Sequence, residues 1–113
     1  MMSAEVWLSR IKEAVSAIAD RDYQQRAWFE SGPEVSSPVE MYCNLFDDFD
    51  YGNFLCSPQV GLTDEQKDLG TTLKEKMDAY SALIGDQPDP SDVIDDPRWD
   101  EIRQAAQRLL DKL

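Results

Sequence analysis

The chain of 113 residues contains no histidine, two cysteines and five glycines, and it is short of basic side chains, with 11 Lys and Arg against 23 Asp and Glu. Lack of imidazole excludes Ser-His-Asp and Cys-His nucleophile sites and the common histidine-containing zinc sites. Cys43 and Cys56 stand 13 apart with no CxxC pair, so they are expected to behave as small hydrophobes, without redox or metal chemistry. The isolated glycines Gly52, Gly61, Gly70 and Gly85 form no phosphate-cradling loop. No apolar run approaches the roughly 18–20 residues that span a bilayer. The first 21 residues carry Glu5, Glu13 and Asp20 where a signal peptide has a basic start and an unbroken apolar stretch, so the expected location is cytoplasmic, with no membrane contact. A net charge of −12 argues against a nucleic-acid reader, because such proteins neutralise phosphates with Lys and Arg. Basic partners fit better.

Apolar residues make up 42%, with three Trp, four Phe and four Tyr, enough for a packed core in one domain spanning 1–113. Trp7, Ile11, Ala14, Val15 and Ile18 fall on one face of a helix running from Ser3 to about Arg21. Asp22 is expected to cap a shorter helix through Tyr23, Ala27 and Trp28, closed by Gly32 and Pro33. Ser37, Pro38 and Glu40 make a capping box for a helix from Pro38 to about Asp48, with Val39, Tyr42, Cys43 and Phe46 inward. The stretch from Phe49 to Leu62 is expected as a loop with one helical turn around Asn53 to Cys56. Thr63 and Gln66 open a long helix to about Ile84, with Leu69, Leu73, Met77, Tyr80 and Ile84 inward and Gly85 as its stop. Gly70 is expected to weaken it by about 1 kcal/mol. A polar connector, Asp86 to Asp96, leads to a last helix capped by Asp96 and Pro97, with Ile102, Ala105, Ala106, Leu109 and Leu113 inward. No segment alternates long enough to be a strand. The expected fold is all-α, a small bundle of four to five helices with an irregular, acidic and aromatic-rich connector.

The negative charge is segregated. Residues 27–66 hold eight acids and no base, residues 77–97 hold six acids and no base, and the remainder sums to +2. Such a field can steer a cationic partner and raise its association rate by about 10–10³. The first acidic stretch is also the aromatic one: Trp28, Phe29, Tyr42, Phe46, Phe49, Tyr51 and Phe54 are seven of the eleven aromatics. Interfaces draw most of their energy from a few aromatic anchors ringed by specificity-giving charges. Asp47 and Asp48 fall in the last turn of a predicted helix, where the macrodipole disfavours anions by roughly 0.3–1 kcal/mol each. A plainer assignment leaves these carboxylates solvated, Asp50 capping a following turn, and Phe46, Phe49 and Phe54 in the core. Tyr51, beside Gly52 in an expected loop, is the aromatic placed most readily on the surface. Asp47, Asp48, Asp50 and Tyr51 are therefore the first candidates for partner contacts, and Glu30, Glu34 and Glu40 the second.

The same residues fit catalytic and metal chemistry poorly. An EF-hand loop fails, because with Gly52 at its sixth position the third and fifth are Phe49 and Tyr51. The pairs Glu65/Asp68 and Glu75/Asp78 resemble the carboxylate magnesium sites of helical pyrophosphatases, but both lie on one helix. No cofactor, metal or small-molecule substrate is expected.

The pair Trp28-Phe29, the start Ser36-Ser37-Pro38-Val39-Glu40 and the stretch Leu45-Phe46-Asp47-Asp48-Phe49-Asp50 ending in Phe54-Leu55 resemble small acidic immunity proteins of bacterial polymorphic toxin systems, including contact-dependent growth inhibition. The resemblance covers roughly residues 26–80 and is one of layout. It implies a cytoplasmic toxin inhibitor without enzymatic activity, which binds the C-terminal toxin domain of its own system, often a basic nuclease. The rival expectations are a nucleic-acid-mimic regulator of a basic host protein and a small carboxylate- and Mg-dependent hydrolase.

Overall fold

The structure, a computed structural model, describes residues 3–29, 35–85 and 88–113. Its architecture is all-α: α1 (Ala4–Ala19), α2 (Arg21–Trp28), α3 (Pro38–Tyr42), a π-helical turn (Cys43–Asp48), α4 (Tyr51–Cys56), α5 (Asp64–Ile84), α6 (Pro90–Ile94) and α7 (Pro97–Lys112). Among the described residues there is no strand, and no helix is long and apolar enough to cross a membrane. The helices outnumber the four or five expected because the two connectors fold into α4 and α6, each only one to two turns long.

Local signals set most boundaries. Ser3 Oγ accepts from the Val6 amide and starts α1, which buries Ile11, Ala14, Val15 and Ile18, as its apolar period predicts. The expected cap of α2 is corrected from Asp22 to Asp20. Its extended backbone ends α1, and its carboxylate accepts from the Tyr23 amide at 3.0 Å. Gly32 and Pro33, expected to close α2, lie outside the described residues. Both halves of the Thr63/Gln66 box form, and Asp96 and Pro97 open α7.

Helix α7 packs along both α1 and α5. Leu73, Met77 and Tyr80 of α5 meet Trp99, Ile102, Ala106 and Leu109 of α7 and the buried face of α1 in one core. Trp99 is fully buried, with the rings of Trp28, Tyr42 and Tyr80 centred 5.9, 6.3 and 5.7 Å away.

Beside it lies a buried polar network. Gln24 Nε2 donates to the Ala17 and Ile18 carbonyls at 2.9 and 2.7 Å, while its Oε1 accepts from Trp99 Nε1 at 3.1 Å and Arg103 Nε at 2.9 Å. Arg103 Nη2 donates to the Ile94 carbonyl at 2.7 Å, and Arg21 Nη1 reaches the same oxygen at 2.6 Å. Four helices, α1, α2, α6 and α7, are thus tied at one point. Every member is satisfied, which the low dielectric of a core demands.

Candidate functional site

The acidic, aromatic segment from Pro38 to Cys56 lies between α1 and α5, and its aromatic side chains hold it there. Tyr42 Oη donates to the Met77 carbonyl at 2.8 Å and Tyr51 Oη to the Gly70 carbonyl at 2.7 Å, two oxygens on α5 spaced two helical turns apart. The Phe46 ring sits between them, stacked on Tyr42 at 6.1 Å and edge-on to Tyr51 at 5.6 Å. On the other side Trp7 Nε1 donates to the Phe49 carbonyl at 2.6 Å, and the Trp7 ring meets the edge of Phe54 at 5.6 Å. Burial pushes the Tyr51 phenol up; burial, with Tyr80 and Asp78 nearby, does the same to Tyr42. Both hydroxyls stay protonated and serve as donors to helix carbonyls.

Tyr51 therefore does not belong to a partner surface, and the expectation that it would be exposed is corrected. It is the first residue of α4, not a loop residue, and is fully buried. Gly70 explains how α4 comes so close to α5. A Cβ there would collide with Leu55 Cδ2 and lie 3.1 Å from the Tyr51 hydroxyl, so this glycine makes room for a helix crossing as well as weakening α5. The expected inward stripe of α3 also shifts. Met41 and Leu45 are buried, whereas Val39, Tyr42, Cys43 and Phe46 are only half-buried. The segment touches α1 as well as α5, so two of its faces are covered, and the π turn, with Phe49 N bonded to Asn44 O, widens the helical period.

With the aromatics turned inward, the carboxylates interleaved with them face water. Asp47, Asp48, Asp50 and Glu40 are all exposed. Asp50 takes a left-handed backbone (φ 50°, ψ 54°), and its carboxylate accepts from Asn53 Nδ2 at 2.8 Å without capping the α4 backbone as expected. At α3 only the Ser half of the expected box forms, Ser37 Oγ accepting from the Glu40 amide at 3.2 Å, which leaves the Glu40 carboxylate in solvent. Glu30 and Glu34 lie outside the described residues. Flanking them, Phe29 and Val35 are exposed apolar side chains, 38% and 67% accessible.

The two acidic stretches, alike in lacking any base in the sequence, differ in the structure. In the second, Asp78 pairs with Lys74 at 2.8 Å, Asp95 with Arg21 at 2.6 Å and Asp96 with Arg98 at 2.8 Å, while Asp89 caps α6 through the Ser91 amide and hydroxyl. The side-chain hydrogen bond from Arg98 holds Asp96 down to about 2. In the first stretch only Glu65, 3.4 Å from Lys112, has a cation within reach among the described residues. Glu40, Asp47, Asp48, Asp50 and Asp64 have none. Among the described residues the segment from Pro38 to Cys56 thus carries four carboxylates without an ion-pair partner and no base, against Asp89 and Asp92 in the second stretch, and it contains a π turn, a geometry that recurs at functional sites.

For chemistry the surface offers little. Among the described residues no three of Asp, Glu and Cys converge to hold a metal ion. Asp78 and Glu65, each a member of one of the two carboxylate pairs, are engaged in the salt bridges above. Cys43 is half-buried and Cys56 exposed, both as free thiols. Comparison with protein-family models, curated proteins and solved structures gave no match.

Proposed function

We propose that this protein is a cytoplasmic immunity-type inhibitor, of the kind found in contact-dependent growth inhibition, that neutralises a cognate basic toxin domain through Glu40, Asp47, Asp48 and Asp50. The observation that carries the proposal is the set of exposed carboxylates without cationic partners, displayed on a segment fixed from beneath by Tyr42, Phe46 and Tyr51. A rigid array of this kind costs little ordering entropy on binding, and its field accelerates encounter with a cationic surface. Its carboxylates would pair with Lys and Arg that otherwise hold substrate phosphates, so the toxin loses substrate binding whether its active site is covered or flanked. Glu30 and Glu34 belong to the same acidic stretch and are candidates for an outer ring of contacts.

Co-expression provides the test. Cells producing the domain encoded by the neighbouring gene should survive when this chain is present and should lose that protection with Asp47→Lys and Asp48→Lys combined. Full protection by the double variant removes this surface from the mechanism.

A further inference from the structure

A groove between α3 and the end of α5 marks where the two base-free stretches of the sequence meet. Val39, Tyr42 and Cys43 form one wall and Ser81, Ile84 and Pro88 the other, around a volume of 180 Å³. Every lining position falls within residues 27–66 or 77–97, which together hold fourteen acids and no Lys or Arg. The surface inside is largely apolar, and the one phenol on it is occupied, because Tyr42 Oη donates to Met77 O. The rim is acidic. Exposed Glu40 follows Val39 in α3, exposed Asp89 follows Pro88, and exposed Asp78 precedes Ser81 by three residues, near enough for its charge to raise the Tyr42 phenol. Lys74 holds Asp78 at 2.8 Å; Glu40 and Asp89 have no ion-pair partner among the described residues.

An apolar cleft with a rim of one charge sign focuses its field on whatever enters, and interfaces gain most from an apolar anchor seated in such a pocket. We infer that this groove receives one apolar side chain of a basic partner segment, whose flanking Lys or Arg residues are held by Glu40 and Asp89. The inference rests on the reading of a basic protein partner and adds the point where that partner's anchor enters. A volume of 180 Å³ accommodates a Leu-sized side chain. The groove also continues the proposed surface, since Cys43 begins the π turn that ends at Asp48.

The probe is a short synthetic peptide with one Leu flanked by Lys and Arg, titrated into the isotopically labelled full chain while amide NMR shifts are followed. Shifts should centre on residues 39–43 and 81–85, and replacing the Leu by Gly should weaken binding about tenfold. Ser81→Trp, which fills the groove without altering charge, should do the same. If that variant fails to fold, alkylating Cys43 with a bulky maleimide in a Cys56→Ser background blocks the same space. Shifts centred on Asp47 to Asp50, or binding indifferent to both the Leu and the groove-filling changes, overturn the inference while leaving the acidic-surface proposal standing. Groove-specific peptide binding, together with no affinity for the neighbouring-gene domain, supports the groove and sinks the toxin reading.

Discussion

Replacing Gln24 by Met removes one amide from the interior and strands four groups. The side chain is fully buried and uses all its polar capacity, donating to the Ala17 and Ile18 carbonyls and accepting from Trp99 Nε1 and Arg103 Nε. Those two carbonyls belong to the last turn of α1, where no intrahelical donor remains for them. An orphaned hydrogen bond to a charged group costs about 1.5–3 kcal/mol and each neutral one about 1, and Met nearly preserves the volume. The expected loss is about 5 kcal/mol, out of the roughly 5–15 that holds a domain of this size together. In a thermal scan it should appear as a drop in Tm of about 20 °C. Combining Gln24→Met with Arg103→Met removes the stranded cation as well, so the double variant should be less destabilised than the two singles added, with a coupling of about 1–3 kcal/mol. Urea unfolding of all four proteins measures this. A single-variant loss under about 1 kcal/mol, or strict additivity, refutes the idea that this network ties α1, α2, α6 and α7 together.

Tyr51→Phe should lower stability by about 1 kcal/mol in urea unfolding through loss of the bond to the Gly70 carbonyl, and should leave the charge of the proposed surface intact. Asp50→Gly and Asp50→Val remove the same charge but differ at φ 50°, so the Val variant should be less stable than the Gly variant by about 1–2 kcal/mol. Asp96 is depressed from its ordinary 3.8 to about 2, so its contribution is fully present above about pH 4 and lost as pH falls through about 2. Asn keeps the cap of α7 without the charge, so the stability gap between the protein and Asp96→Asn, about 1–2 kcal/mol with half-exposed Arg98 as partner, should close over that window in acid-titrated unfolding.

Elements with local causes were legible in the sequence. The stripe of α1, the Thr63/Gln66 box and the Asp96-Pro97 start need only residues within one turn of each other, so spacing alone reveals them. The π turn and the crossing at Gly70 arise from how the segment wedges between α1 and α5, and no local period encodes that. Tyr51 was misplaced for this reason: Gly52 suggested a loop, while the tertiary contact with Gly70 puts the ring inside. Gln24 and Arg103 look like surface residues by type. Their positions gave a signal, since Gln24 shares a helical face with Ala27 and Trp28, and Arg103 lies beside Ile102 on a stripe that Trp99 extends backward. The exposed carboxylates were legible as a charge count, but only the ion pairs of Arg21, Lys74 and Arg98 distinguish the partly neutralised stretch from the open one.

The most direct test is calorimetric titration of the purified chain with the basic domain encoded by the neighbouring gene, at low and at physiological ionic strength. If Glu40, Asp47, Asp48 and Asp50 form the contact surface, binding is tight, weakens as salt screens it, and falls at least about tenfold in the Asp47→Lys, Asp48→Lys variant while its Tm stays unchanged. Affinity that is indifferent to both salt and the double charge reversal contradicts the proposed surface.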